Sequence, residues 1–380
     1  MLIGIDAQTA NKKERTGVEW YAYYIIQFLK NQPLQNHQVV LYSSSLLLED
    51  LHKLPEGWES KILRWPFKRG WLQGRLSMEM WQHPPNILFV PGQRLPHVVP
   101  HIIEKKQATV TMIHDISFKR YPDLFSPSDC RRLEQATNIA LQKATRILVP
   151  SIFTKKELID VYKVKEERLV VTPLAVDTSK FCILEQDQIR HILDQYRLGK
   201  KNYFLTIGRI EKKKNSLMLI QAFEQFKRDR GFGDPFKLIF AGSKGEGFNE
   251  IKQVVDLSPH KDDIQFLGWI PQDDLPGLIN GAAAYLFPSW YEGFGLPNLE
   301  ALACGTPLLT SDIAPHREVV QDAALFVSPH KPELWTKAMR EIIENQALQQ
   351  DLIQKGLKVV QGYSWQKTAE ITARVFLDLF

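Results

Sequence analysis

Cysteine is scarce in this chain, long apolar runs are absent, and so are the acidic triplets that commonly hold a catalytic cation. Three cysteines in 380 residues, Cys130, Cys182 and Cys304, stand far apart without Cys-x-x-Cys spacing. That excludes a zinc ribbon or an evident disulfide framework and makes a reducing cytoplasm the expected compartment. No stretch approaches the roughly 18 consecutive apolar residues a membrane span needs, so an integral membrane protein is not expected. The opening MLIGIDAQT has neither a basic leader nor a long apolar segment and reads as a first strand, not a secretion signal. No Asp-x-Asp triplet occurs, so a common carboxylate grip on Mg²⁺ or Mn²⁺ is missing, and neither a metal nor a cofactor is expected. No Gly-x-Gly-x-x-Gly follows the first strand, which counts against a dinucleotide-dependent oxidoreductase.

The chain does have an ordinary globular composition, 44% apolar and 24% charged, with a net charge of +5 that favours an acidic partner. Its length suits two domains. Short apolar strands alternate with helical patterns throughout, an α/β signature. They include Leu2 to Ala7, Val39 to Tyr42, Asn86 to Val90, Val110 to His114 and Thr145 to Pro150, then a second series from Tyr203 to Ile207 onward. The polar segment 178–201 separates the two series. Two Rossmann-like, doubly wound domains are therefore expected, 1–177 and 178–362, followed by a last amphipathic helix in 363–380.

The most informative stretch is 282–312, AAAYLFPSWYEGFGLPNLEALACGTPLLTSD. It reads as a buried strand ending at Pro288, a glycine turn, a helix from about Leu296 with Pro297 suited to its first turn, a stop at Gly305 and Pro307, and another strand. The N–H groups of Phe294, Gly295 and Leu296 are expected to point out of the helix start, where an anion binds. Glu300, expected in the first helical turn, can accept hydrogen bonds from two neighbouring hydroxyls such as those of a ribose. Glu292 projects separately from the strand's carboxyl edge, where open α/β sheets bind ligands. Against this stands the plain reading of two solvated surface glutamates.

The run Glu292-Gly-Phe-Gly-Leu-Pro-Asn-Leu-Glu300, with seven residues between its acids, resembles the two-glutamate motif of retaining glycosyltransferases with the GT-B fold, particularly glycosyltransferase family 4. The resemblance implies two Rossmann-like domains facing across a cleft, with the terminal helix crossing back to the first. It also implies a nucleotide-diphosphate sugar as donor, Glu292 by the donor sugar and Glu300 on the nucleotide ribose. Gly208-Arg209 after the strand 203–207, with Lys214 downstream, match the family's diphosphate ligands; a guanidinium fork and an ammonium offset the charge of a departing diphosphate. Lys212 and Lys213 read as solvated. His114-Asp115 at a strand end match the family's His-Asp, with His114 facing the donor sugar as a catalytic residue and Asp115 on the acceptor side. Taken alone, such a pair is more often structural. Gly17, opening a helix after a polar, basic loop that contains Arg15, matches a glycine loop over the donor phosphates; Arg15 is expected on the acceptor side. The stretch 314–320, APHREVV, departs from the family's Pro-Glu-Val through His316 and Arg317, although Glu318 remains. His-Asp-Ile-Ser-Phe followed by Tyr-Pro resembles bacterial mannosyltransferases using GDP-mannose, with UDP-glucose users next.

Residues 61–81 interleave Lys61, Arg64, Lys68, Arg69 and Arg75 with Trp65, Phe67, Trp71 and Trp81. They read either as an anionic headgroup interface, peripheral on the inner face of the cell membrane, or as charges solvated over an aromatic core. Nucleic acid is not expected, since no binding motif accompanies them. The expected function is transfer of a hexose to an acceptor hydroxyl on a glycan, a lipid-linked saccharide or a small molecule. A glycoside hydrolase would also use two carboxylates but has no need of Arg209 and Lys214. A non-catalytic nucleotide-sugar-binding subunit is the other alternative.

Overall fold

The computed structural model describes residues 1–34, 37–67, 69–99, 107–231 and 233–379. Lys68 and Phe380 lie outside them. The chain divides into two units. Met1–Arg120, Pro127–Leu174 and Ser364–Phe380 form unit one; Tyr121–Ser126 and Ala175–Tyr363 form unit two.

Among the described residues, unit one carries a seven-stranded sheet of β1 (Leu2–Asp6), β2 (Gln38–Ser43), β3 (Trp58–Ile62), β4 (Ile87–Val90), β5 (Ala108–Met112), β6 (Arg146–Val149) and β7 (Leu169–Val171), in the order β3-β2-β1-β4-β5-β6-β7. Every pairing is parallel, and Ile3 stands opposite Val39 on one side and Ile87 on the other. Parallel strands need helices on both faces, which is why β4 reads as a continuous apolar run and β1, β4 and β5 are buried almost throughout. The helix Gly17–Leu29 buries Tyr21, Ile25 and Leu29, one residue per turn of a single face. The helix Trp365–Leu377, capped by the Ser364 hydroxyl, also belongs to this unit; Trp365 stacks on Tyr24 at 5.2 Å and Phe376 packs on Phe89 at 5.4 Å.

Unit two repeats the plan with β8 (Tyr203–Ile207), β9 (Lys237–Ala241), β10 (Ile264–Gly268), β11 (Ala284–Phe287), β12 (Leu308–Ser311) and β13 (Leu325–Val327), in the order β10-β9-β8-β11-β12-β13. Its core is aromatic: Phe204 meets Phe226 edge-on at 5.2 Å and stacks on Phe236 at 5.3 Å, with Trp335 fully buried in the same cluster. Both sheets follow the doubly wound order in which the strand sequence reverses once. The reversal falls between β1 and β4 in unit one and between β8 and β11 in unit two, and ligands bind outside the carboxyl ends at such switch points.

The stretch 61–81 departs from its expected reading. Lys61 (2.5 Å) and Arg75 (3.1 Å) are ion-paired to Glu79, which is 1% exposed, so neither is a freely solvated charge. Trp71 is buried and donates its indole N–H to the Leu63 carbonyl. Arg64 and Arg69 remain exposed, together with Phe67 and Trp81. No helix among the described residues is long and apolar enough to cross a membrane.

Candidate active site

In unit two the loops leaving β8 and β11 sit at the switch point. After β8, Gly208 at φ 144° gives way to Arg209, whose side chain is 55% exposed with its nearest carboxylate, Glu211, at 3.8 Å. Lys212–Lys214 then form one tight turn, ended by Asn215 in the left-handed region and held there by an Asn215 side-chain bond to the Pro329 carbonyl. That turn aims Lys214 inward: its ammonium lies 2.7 Å from Glu292 and 4.7 Å from the Phe287 ring. Lys213 corrects an expectation. It is mostly buried, with its ammonium 3.9 Å from the other Glu292 oxygen, while Lys212 pairs with Glu250. Glu292, 8% exposed, thus stands between two ammonium groups.

Beyond Glu292 the chain passes through Gly295 at φ 89° into the helix Leu296–Ala303. A side chain there is excluded on two counts. L-residues disfavour that φ, and an added Cβ would lie 2.9 Å from Asn298 Nδ2 and 3.0 Å from His316 Cδ2. Among the described residues, the N–H groups of Phe294, Gly295 and Leu296 take no hydrogen-bond partner, leaving donors at the positive end of a helix. The helix begins at Leu296 as expected, and Glu300, its fifth residue, sits in the second turn and not the first. Its half-buried carboxylate has no hydrogen bond or ion pair among the described residues, and desolvation pushes its pKa up to about 7.

His316, singled out as a departure, is fully buried below Gly295. Its Nδ1 lies 2.8 Å from the Thr310 hydroxyl and 3.1 Å from the Ser311 carbonyl. A carbonyl only accepts, so the ring carries its proton on Nδ1, and burial pushes its pKa down to about 4. Arg317 turns away, pairing with Asp312 and covering the Phe326 ring at 4.4 Å.

In unit one, His114 follows β5 and meets Tyr21 edge-on at 4.9 Å. Its Nε2 is enclosed and meets no hydrogen-bond partner among the described residues. Burial pushes its pKa down to about 4. Asp115 has a local task, since its Oδ1 accepts from the Ser117 N–H at 2.9 Å and hydroxyl at 2.6 Å at the start of the helix Ser117–Arg120. Arg15 is not presented to a ligand: its guanidinium side chain is 1% exposed, bonded to Glu49 and the Ala10 carbonyl, and lies over the Trp20 and Tyr23 rings. Gly17 is exposed with open space beside it, but the helix it opens is already capped by the Glu19 carboxylate, which accepts from the Thr16 N–H at 3.1 Å. The sequence pattern missed Lys213 and the buried Asp6 that ends β1, because both depend on burial that spacing does not report.

Residues 15–180 match the family described as Glycosyltransferase Family 4, and residues 188–359 match that described as glycosyl transferases group 1. The chain is 30% identical to the O-antigen chain mannosyltransferase B of Escherichia coli over 73% of its own length and 71% of the relative's. It belongs to glycosyltransferase family 4. A second relative of this glycosyltransferase, the O-antigen chain mannosyltransferase RfbU of Salmonella typhimurium, is 28% identical over 65% of the chain and 63% of the relative. Among solved structures, Anabaena HepE in complex with UDP and glucose superposes with a TM-score of 0.75 at 17% identity, covering 99% of each chain. WaaG, a glycosyltransferase of lipopolysaccharide biosynthesis, superposes with the same TM-score of 0.75 at 15% identity, again covering 99% of each. At those identities the likeness establishes the GT-B fold.

Proposed function

We propose that the enzyme transfers mannose from GDP-mannose, with UDP-glucose the next candidate, to a hydroxyl of a growing cell-surface polysaccharide, with retention at the anomeric carbon. The observation that carries the nucleotide-sugar reading is in unit two: a desolvated carboxylate without partners, Glu300, one turn after three unpaired amides on a helix start. A ribose diol matches the first and a diphosphate the second. The mannosyl and polysaccharide terms are supported by the two O-antigen relatives.

In this reading Glu300 holds the ribose and Glu292 the donor sugar. As the anomeric C–O bond breaks, Arg209 and Lys214 take up the charge developing on the diphosphate. The departing phosphate oxygen accepts the acceptor's proton while the new C–O bond forms on the same face. His114, neutral, faces the donor sugar. These cations supply the charge a divalent ion supplies elsewhere, so turnover should survive EDTA; loss in chelator with rescue by Mn²⁺ would remove that part. The exposed Phe67, Met78 and Trp81, with the exposed Arg64 and Arg69 in the same stretch of chain, support attachment to the cytoplasmic face of an anionic membrane.

A thermal-shift screen against GDP, UDP and ADP tests the donor. A ligand at about 100 times its Kd adds roughly 2.7 kcal/mol, and GDP should give the largest rise. NMR of the first-formed product from GDP-mannose then reads the anomeric proton. An inverted signal ends the retaining assignment, and a rise with UDP alone moves the donor to UDP-glucose.

A further inference from the structure

Unit one contains a concave surface lined by none of the candidate-site residues described above. An open groove of about 590 Å³ follows the carboxyl ends of β2 and β3, among its walls Ser44, Ser45, Leu46, Ile62, Arg64 and Trp65. Its size is that of a small-molecule site, and it lies on the carboxyl side of the parallel sheet, outward of the switch point between β1 and β4.

The groove is built, not incidental. Its Ser44–Leu46 wall is fastened to the loop after β1: the Ser44 N–H donates to Gln8 Oε1 at 2.8 Å, and Asn11 Nδ2 donates to the Leu46 carbonyl at 3.0 Å and to Ser45 Oγ at 3.3 Å. Trp65 is held as firmly. Its indole N–H donates to the Arg69 carbonyl at 2.8 Å, Phe67 meets it edge-on at 5.3 Å, and its benzo ring fills the space beside Gly74, where an added Cβ would lie 2.5 Å from it. Against this fixed frame three groups are left unspent. Leu46 is 74% exposed, and neither the Ser44 hydroxyl nor the Arg64 guanidinium makes a hydrogen bond or ion pair among the described residues.

A pyranose ring is apolar on its C–H faces and hydroxylated at its rim. An indole flanked by aliphatic side chains suits the faces, a serine hydroxyl suits the rim, and an unpaired guanidinium suits an anion joined to the sugar. We infer that this groove binds the acceptor saccharide through a glycosyl phosphate, with the pyranose on Trp65 and the phosphate on Arg64. The inference rests on the glycosyltransferase reading for calling that saccharide an acceptor. A soluble sugar phosphate and a lipid-linked one share the recognised chemistry.

The test titrates mannose 1-phosphate and methyl α-mannopyranoside into the full chain by saturation-transfer NMR. Trp65→Ala should weaken both by about tenfold, the span of one aromatic contact, while Trp65→Phe should restore most of the loss. Arg64→Ser should weaken the phosphate by about tenfold and leave the methyl glycoside nearly unchanged. Gly74→Ala should mimic Trp65→Ala by displacing the ring. GDP affinity should stay within about twofold in every variant. Tighter binding of polyprenyl-phosphate mannose than of mannose 1-phosphate marks a lipid-linked acceptor, equal binding a soluble one, and both support the groove. Equal saccharide affinity in wild type and Trp65→Ala overturns it, as does a Trp65→Ala variant that loses only its hold on sugar-free phosphatidylglycerol vesicles. A wild type that binds these saccharides at Trp65 yet transfers no sugar from any nucleotide donor refutes the proposed function and leaves the groove standing.

Discussion

Glu300 is left without a counter-charge in a half-buried site, and that has a thermodynamic signature. Its folded pKa of about 7 stands above its ordinary value of 4.5, so the ionised form is disfavoured by folding. The penalty is absent below pH 4.5, grows as pH rises toward 7, and is complete above it. Glu300→Gln should therefore raise the melting temperature of the ligand-free enzyme at pH 8 and leave it nearly unchanged at pH 4. Nucleotide binding should show the opposite preference. If the ribose hydroxyls donate to the ionised carboxylate, GDP should bind roughly tenfold more tightly at pH 8 than at pH 6, with one proton released; calorimetry in buffers of different ionisation enthalpy counts that proton. A flat profile would mean that Glu300 does not touch the nucleotide. Glu292 makes the contrast. Its carboxylate is held by Lys214 at 2.7 Å, so Glu292→Ala should cost transfer while sparing GDP affinity, whereas Glu300→Ala should cost GDP affinity directly. Equal losses in the two variants would refute the division.

The helix start at Leu296 depends on one backbone angle. Gly295→Ala combines an unfavourable φ with a Cβ pressed against Asn298 and the buried His316 ring, neither of which has free space to retreat into. Nucleotide affinity should fall by more than about tenfold, while the melting temperature falls by only a few degrees; unchanged GDP binding would show that the three amides are not the anion site. The segment 61–81 makes a different element-scale prediction. With Lys61 and Arg75 committed to Glu79, the exposed cations Arg64 and Arg69 contribute only about 1 kcal/mol each at an anionic surface, so attachment has to lean on apolar side chains. Changing Phe67, Met78 and Trp81 together to serine should release the protein from anionic vesicles in a sedimentation assay even at low salt. Equal pelleting of variant and wild type would refute the apolar contact. The pairing that alters this estimate was illegible in the sequence: Glu79 is one acid among several basic residues, and its burial arises from packing that a linear pattern does not carry.

At the scale of the molecule, the strands that were legible are those whose apolar runs are buried on both faces. β1, β4, β6 and β8 emerge within a residue of their expected bounds for that reason. β3, Trp-Glu-Ser-Lys-Ile, escaped because it is an edge strand whose last four residues are exposed. The site divides the same way. Gly295, Lys214 and the two glutamates are legible as a motif, whereas the burial of Arg15 between two aromatic rings and the capping task of Asp115 follow from tertiary neighbours. The segment Tyr121–Ser126, which packs with unit two through Tyr121 on Tyr291 at 6.1 Å, gave no compositional sign of leaving the first unit.

The membership of the helix Trp365–Leu377 in unit one has a consequence for biosynthesis. Trp365 covers Tyr24, and Phe376 covers Phe89, so the first unit's hydrophobic layer is finished by residues made long after the rest of it. Between Leu174 and Ser364 the ribosome adds roughly 190 residues, which at about 5–20 residues per second takes on the order of 10–40 s. Throughout that interval the nascent chain holds a nearly complete α/β layer with an aromatic strip open to water, the kind of surface that holding chaperones bind. A ribosome stalled near residue 360 should therefore carry a chaperone-bound first unit, and one stalled far enough past the terminal helix to let it emerge should not.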